Sequence, residues 1–155
     1  MTRKIILTTL LITLAAVAAS AQSRPVSAKE VNGTFKTTDG ANIIKVYSVG
    51  RGGLDNPGYN LQVEFYASLL LGPKGEPRGN TGTLSGFAQI DGDTATFTPS
   101  GMESEDCTIT VKFASPGILS VTQVGECGFI NDMISTAGKY RKTSAVKPKF
   151  TVVNE

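Results

Sequence analysis

This 155-residue sequence contains no histidine, no tryptophan and only two cysteines. Histidine is the usual general base near neutral pH and a common zinc and haem ligand, so its absence excludes Ser-His-Asp and Cys-His catalytic centres. A Cys-x-x-Cys metal or redox motif is also absent,. The sequence therefore predicts no catalytic residue, no metal site and no cofactor, and we expect a protein that is not an enzyme.

Residues 1–21 have the pattern of an export signal. Arg3 and Lys4 precede an apolar stretch, and Ala19-Ser20-Ala21 is a small-x-small cleavage pattern,. The apolar stretch is shorter than the roughly 20 residues that a membrane-spanning helix needs. No cysteine stands at the cleavage point, where a lipoprotein would be acylated. We therefore expect a secreted or periplasmic bacterial protein with no membrane anchor after cleavage.

Cleavage would also change the charge of the protein. The full chain carries a formal charge of +2, and Arg3 and Lys4 are two of its fifteen basic residues. The mature chain would keep thirteen basic and thirteen acidic residues. It has no lysine- or arginine-rich run, so we expect neither nucleic acid nor an anionic membrane as a partner.

Cys107 and Cys127 are an even pair in a chain with an export signal, which predicts a disulfide,. Closing a loop of this length would stabilise the fold by about 3 kcal/mol in the chain-entropy model. The bond would connect the start of one strand to a loop at residues 125–136. That loop carries Phe129, and it either plugs one end of the fold or contacts a partner,.

Beyond the signal, the hydrophobic pattern has a period of two residues. Leu61, Val63 and Phe65 alternate with polar or aromatic neighbours, and Asp91-Gly92-Asp93 and Ser115-Pro116-Gly117 are turn sequences between alternating runs,. Eight strands follow from this pattern, at residues 34–38, 43–49, 59–69, 83–90, 94–98, 107–113, 118–124 and 139–143. Eight strands can close a small barrel. We predict an all-β fold with a single antiparallel eight-stranded barrel, and a two-sheet β-sandwich is the alternative.

The same pattern divides the chain into segments. A flexible N-terminal arm is expected at residues 22–32, which are polar and contain Pro25,. The barrel is expected at residues 33–143. Residues 144–155 are interpreted as a C-terminal tail or as an extra edge strand through residues 150–153.

Carboxylates are the remaining residues that could bind a cation or catalyse a reaction. Asp91 and Asp93 fit the hairpin turn between them, so they predict no cation site,. Glu64 lies on the polar side of an alternating strand, and we expect it to be exposed to solvent rather than to act as a glycosidase acid,.

Ser135-Thr136-Ala137-Gly138-Lys139-Tyr140 resembles the loop that bacterial periplasmic inhibitors of c-type lysozyme insert into the enzyme's cleft. Those inhibitors are exported eight-stranded barrels with a disulfide. Thr136 and Ala137 depart from the family's serine and glycine pattern, and its downstream Lys-Gly pair is absent. The resemblance implies that Ser135 and Tyr140 contact the enzyme, with Lys139 in the basic position; alternatively, Tyr140 belongs to the core.

A second resemblance lies in Cys127-Gly128-Phe129 followed by Gly138-Lys139-Tyr140-Arg141, which is similar to the ending of small bacterial secreted domains. Together these observations predict a non-catalytic binding protein whose partner is a protein, and we expect that partner to be a cell-wall lytic enzyme. The alternative is a lipocalin- or avidin-like carrier with a small apolar ligand inside the barrel.

Overall fold

The computed structural model describes residues 24–51, 59–68, 81–99, 106–127 and 134–151. Within these ranges eight antiparallel strands form one closed barrel in sequence order, with β1 paired to β8. The strands are Gly33–Lys36 (β1), Ile43–Arg51 (β2), Tyr59–Ser68 (β3), Thr81–Asp91 (β4), Thr94–Phe97 (β5), Cys107–Ser115 (β6), Ile118–Gly125 (β7) and Gly138–Ser144 (β8). The predicted barrel is confirmed, and the predicted strand ends agree with the observed ones to within two residues.

Alternation along the strands builds the core. Leu61, Val63 and Phe65 all point inward from β3 and are buried,. The rings of Phe65 on β3 and Phe97 on β5 contact each other inside the barrel at a centroid distance of 5.2 Å. Other large inward side chains in the described strands include Phe35, Ile44, Val46, Ile90, Ile109, Val111, Phe113, Leu119, Val121 and Tyr140.

Two-residue turns close the β4–β5 and β6–β7 hairpins. Gly92 has φ 58° and Gly117 has φ 77°, conformations that favour glycine because a Cβ would be strained there,. In the β6–β7 hairpin Cys107 pairs with Gly125. This register follows because the turn centres on Pro116-Gly117 and the register shifts between Phe113 and Ser115,.

The Cys107–Cys127 disulfide is present, as the cysteine count predicted. Cys127 lies two residues beyond the end of β7, and both cysteines are buried. The bond therefore connects the start of β6 to the loop after β7, which matches the expected arrangement.

The expected flexible arm at residues 22–32 needs correction, because its second half contains a short helix, Ala28–Val31 (α1). Ser27 caps α1 by accepting the N–H of Glu30, while the Glu30 carboxylate accepts the N–H of Ser27,. Val31 is buried in the barrel core. At the other end, Lys142 donates hydrogen bonds to three carbonyl oxygens in and beside α1. These contacts hold the segment against the barrel.

After β8 the chain continues as an irregular segment, residues 145–151, that we call the C-terminal strap. An extra edge strand is one of the two interpretations of this region that the sequence allows. No strand forms in the described residues 145–151, because β1 already pairs with β8 and leaves no open edge there,. None of the described helical residues belongs to a helix long and apolar enough to span a membrane.

Candidate functional site

Residues 134–139, here called the end segment, lie at one end of the barrel and comprise the four residues before β8 and the first two residues of that strand. Their burial alternates: Ile134 and Thr136 are buried, whereas Ser135, Ala137 and Lys139 are exposed. Two of the predicted binding residues, Ser135 and Lys139, therefore lie on the same outward side of one extended stretch.

Tyr140 does not lie on that outward side, so the expectation that it contacts a partner is not met, and the alternative that it is a core residue is the one observed. Its side chain is 0% exposed and belongs to the barrel core. The reason is the strand period, because Tyr140 follows the exposed Lys139 and so points inward. Burial raises the pKa of Tyr140, and its hydroxyl donates a hydrogen bond to the carbonyl of Thr136.

This hydrogen bond attaches the end segment to the barrel core. Gln123 of β7 adds a second attachment, because its side-chain oxygen accepts the N–H of Thr136 at 2.9 Å and the Thr136 hydroxyl at 3.0 Å. Thr136 itself is 1% exposed. A buried threonine in a fully bonded environment positions the backbone and is unavailable to a partner.

The turn between β1 and β2 supplies a third attachment. The side-chain amide of Asn42 donates to the carbonyl of Ser135 at 2.9 Å. Asn42 is positioned by Thr37, which accepts its N–H and also donates to Asp39. The hydrogen bonds from Thr37 and from the N–H of Ala41 lower the pKa of Asp39 and keep this turn charged and ordered,.

The outward side chains of the end segment have distinct chemistry. The Ser135 hydroxyl oxygen accepts the N–H of Ala137 at 3.1 Å, which leaves its proton to be donated outward,. Lys139 adds a positive charge two residues beyond Ala137. Phe129, the other predicted binding residue, lies outside the described residues, and so does the loop around it at 128–133.

Glu64 differs from its expected environment. It was predicted to be exposed, but it is 2% exposed even though it points away from the core. The strap covers it: Thr151 donates both its N–H and its hydroxyl to the Glu64 carboxylate, and Lys45 forms an ion pair with the same carboxylate. Sequence periodicity assigned the correct side of the strand but missed the covering segment, because the covering residue lies 87 positions later in the chain.

The aspartate pair at the β4–β5 turn keeps its structural interpretation. Asp93 accepts the hydroxyl of Thr94 at 2.9 Å, and its backbone carbonyl accepts the N–H of Phe113. Among the described residues no group of three potential ligands is arranged to hold a metal ion.

No family model, curated protein or solved structure matches this chain.

Proposed function

We propose that this protein is an exported, non-catalytic binding protein that inhibits a cell-wall lytic enzyme through its end segment. One observation carries the proposal: Ser135 and Lys139 both point outward from the end segment. The backbone of that segment is held to the barrel by hydrogen bonds at Ser135 and Thr136. A segment that is already ordered loses little conformational entropy when it binds, so preorganisation favours affinity.

The chemistry of the two outward side chains suits such a target. Glycosidases that cleave cell-wall polysaccharides commonly use a pair of carboxylates at the bottom of a cleft. A lysine ammonium and a serine hydroxyl are both hydrogen-bond donors, and a donor that faces an ionised carboxylate makes a stronger hydrogen bond than a neutral pair does. The resemblance of residues 135–140 to lysozyme-inhibitor loops supports the same partner class.

The buried disulfide supports an extracytoplasmic location, because disulfides persist in oxidising compartments,. The filled core argues against the carrier alternative. A carrier needs space inside the barrel, but the inward positions that would line a ligand cavity hold bulky buried side chains, including Phe65, Phe97, Ile109, Phe113 and Val121,. Binding through the outside of the barrel is therefore the interpretation that the packing favours.

The test is inhibition of c-type lysozyme by protein recovered from the periplasm or medium of the expressing cells. The mass of that protein shows whether residues 1–21 have been removed. We expect saturable inhibition, and we expect Lys139→Glu to raise the inhibition constant at least about tenfold, equivalent to about 1.4 kcal/mol. Ser135→Ala should have a smaller effect in the same direction.

Lys29→Glu is the matched control, since it makes the same charge reversal at an exposed position of α1, which precedes β1 and so lies at the end of that strand opposite the end segment. It should leave the inhibition constant within about twofold of the unchanged protein. If micromolar protein inhibits no lysozyme, or if Lys29→Glu weakens inhibition as much as Lys139→Glu does, the assignment to the end segment is wrong.

A further inference from the structure

The C-terminal strap occupies the outer surface of the barrel by specific contacts. Its Lys147 ammonium lies 4.4 Å from the centre of the Tyr47 ring on β2, and Pro148 is buried. Further along, Thr151 reaches Glu64 on β3 and accepts a hydrogen bond from Lys45 at 3.5 Å. The strap therefore runs from β8 across β2 to β3.

The strap covers a charged pair that would otherwise face water. Lys45 and Glu64 are direct partners in the β2–β3 register, and the Lys45 side chain is 25% exposed while that of Glu64 is 3% exposed. Taking an ion pair out of water costs free energy that its mutual attraction only partly offsets. The hydrogen bonds from Thr151 and the burial of Pro148 act against that cost,.

A pocket of about 190 Å³ continues from the covered pair along the outer surface of β3 and β4. It is lined by Ile43, Lys45, Glu64, Tyr66, Thr83 and Thr151. Tyr66 is partly exposed there and offers an aromatic surface beside the ionised pair. Thr151 is thus the described residue of the strap that lines this groove.

We propose that this groove is a binding site for an extended polypeptide segment of a partner protein, and that the strap is its intramolecular competitor. The groove is defined by Lys45, Glu64, Tyr47 and the pocket beside Tyr66. It is separate from the end segment, and the proposal does not depend on the inhibition of a lytic enzyme.

The strap itself shows which chemistry the groove recognises. The Glu64 carboxylate accepts one backbone N–H and one hydroxyl from a single residue, which any extended segment with threonine or serine at that position can supply. The Tyr47 ring contacts the ammonium of Lys147, which lies four residues before Thr151 in the strap,. The partner segment is therefore extended and basic, with a hydroxyl residue that follows its lysine or arginine at the spacing of Lys147 and Thr151.

The experiment uses a fluorescent synthetic peptide with the sequence of residues 145–155, titrated into full-length protein and followed by anisotropy. Two variants both weaken the binding of the strap to the groove, but only one of them changes the groove itself. Thr151→Pro removes the N–H and the hydroxyl from the strap and leaves Glu64 intact, whereas Glu64→Gln alters the acceptor itself. We expect the peptide to bind Thr151→Pro at least tenfold more tightly than the unchanged protein, whose strap competes. Glu64→Gln should bind it at least tenfold more weakly than Thr151→Pro.

A control peptide with valine at the position of Thr151 should bind Thr151→Pro at least fivefold more weakly. Circular dichroism establishes that each variant keeps the barrel. If the peptide shows no saturable binding to folded Thr151→Pro, or binds Thr151→Pro and Glu64→Gln equally, the strap is only a structural element and the groove is not a polypeptide site.

Discussion

Glu64 on β3 and Lys112 on β6 occupy similar positions, since each is a charged residue in the middle of a long strand that points away from the core. Their environments are opposite. Glu64 is 2% exposed beneath the strap, whereas Lys112 is exposed on a face that also carries Thr96 and Thr122. We call these the covered face, formed by Lys45, Glu64 and the strap, and the bare face, formed by the outward residues of β5 to β7.

The comparison shows that the side of the sheet on which a residue lies and its exposure to solvent are separate properties, although an alternating pattern is often used to predict both. Alternation in a strand tells which side of the sheet a residue occupies. Whether that side is solvated depends on what crosses it, and here the crossing segment comes from the end of the chain. An outward carboxylate can therefore be as buried as a core residue.

The largest predicted contrast between the faces is the response to truncating their central charges. Glu64→Ala should destabilise the protein by about 3 kcal/mol, because it leaves the partly buried Lys45 ammonium without its counter-charge and the Thr151 N–H without its acceptor,. Lys112→Ala should change stability by less than about 0.5 kcal/mol, as exposed substitutions usually do. Urea unfolding followed by circular dichroism measures both free energies.

A double variant sharpens this contrast. Lys45→Met combined with Glu64→Leu removes both charges and keeps the side-chain volumes, so its stability should return to within about 1 kcal/mol of the unchanged protein. If Glu64→Ala costs no more than Lys112→Ala, the carboxylate is solvated in solution and the strap does not cover it.

The two faces also show where sequence reasoning succeeds and where it ends. The strands and their hairpins follow from local patterns, because alternation and glycine turns act within about ten residues. The disulfide follows from the predicted export signal and the cysteine count. The buried state of Glu64 required knowledge that Thr151 returns to β3, and no local pattern carries that information.

Two other differences were accessible from the sequence. Ser27 and Glu30 form the S-x-x-E spacing of a capping box, which would have predicted the start of α1 within the supposed arm,. The alternation that correctly places Lys139 outward also places Tyr140 inward. For Tyr140 the family resemblance and the strand period disagreed, and the strand period was the better guide.

An intermediate effect is expected from removing single hydroxyl groups. Thr151→Val deletes the hydroxyl bond to Glu64 and keeps the β-branched shape and the backbone N–H, so it should cost about 1 kcal/mol,. Thr122→Val makes the same change on the bare face and should stay within about 0.5 kcal/mol of zero. Equal losses at the two sites, measured by thermal or urea unfolding, would mean that the hydroxyl of Thr151 is no more engaged than an exposed one.

The smallest predicted effect tests how far along the strap the contacts with the barrel extend. Lys147→Met keeps the aliphatic stem but removes the ammonium above Tyr47, and we expect a loss of about 0.5 kcal/mol,. Lys149→Met is the matched control, since Lys149 is also an exposed lysine of the strap. Because a loss of this size is close to the error of one unfolding curve, the coupling free energy between Lys147→Met and Tyr47→Leu is the better measurement. A coupling near zero would restrict the strap's specific contacts to Pro148 and Thr151, whereas a coupling of about 0.5 kcal/mol places Lys147 among the groups that hold it closed.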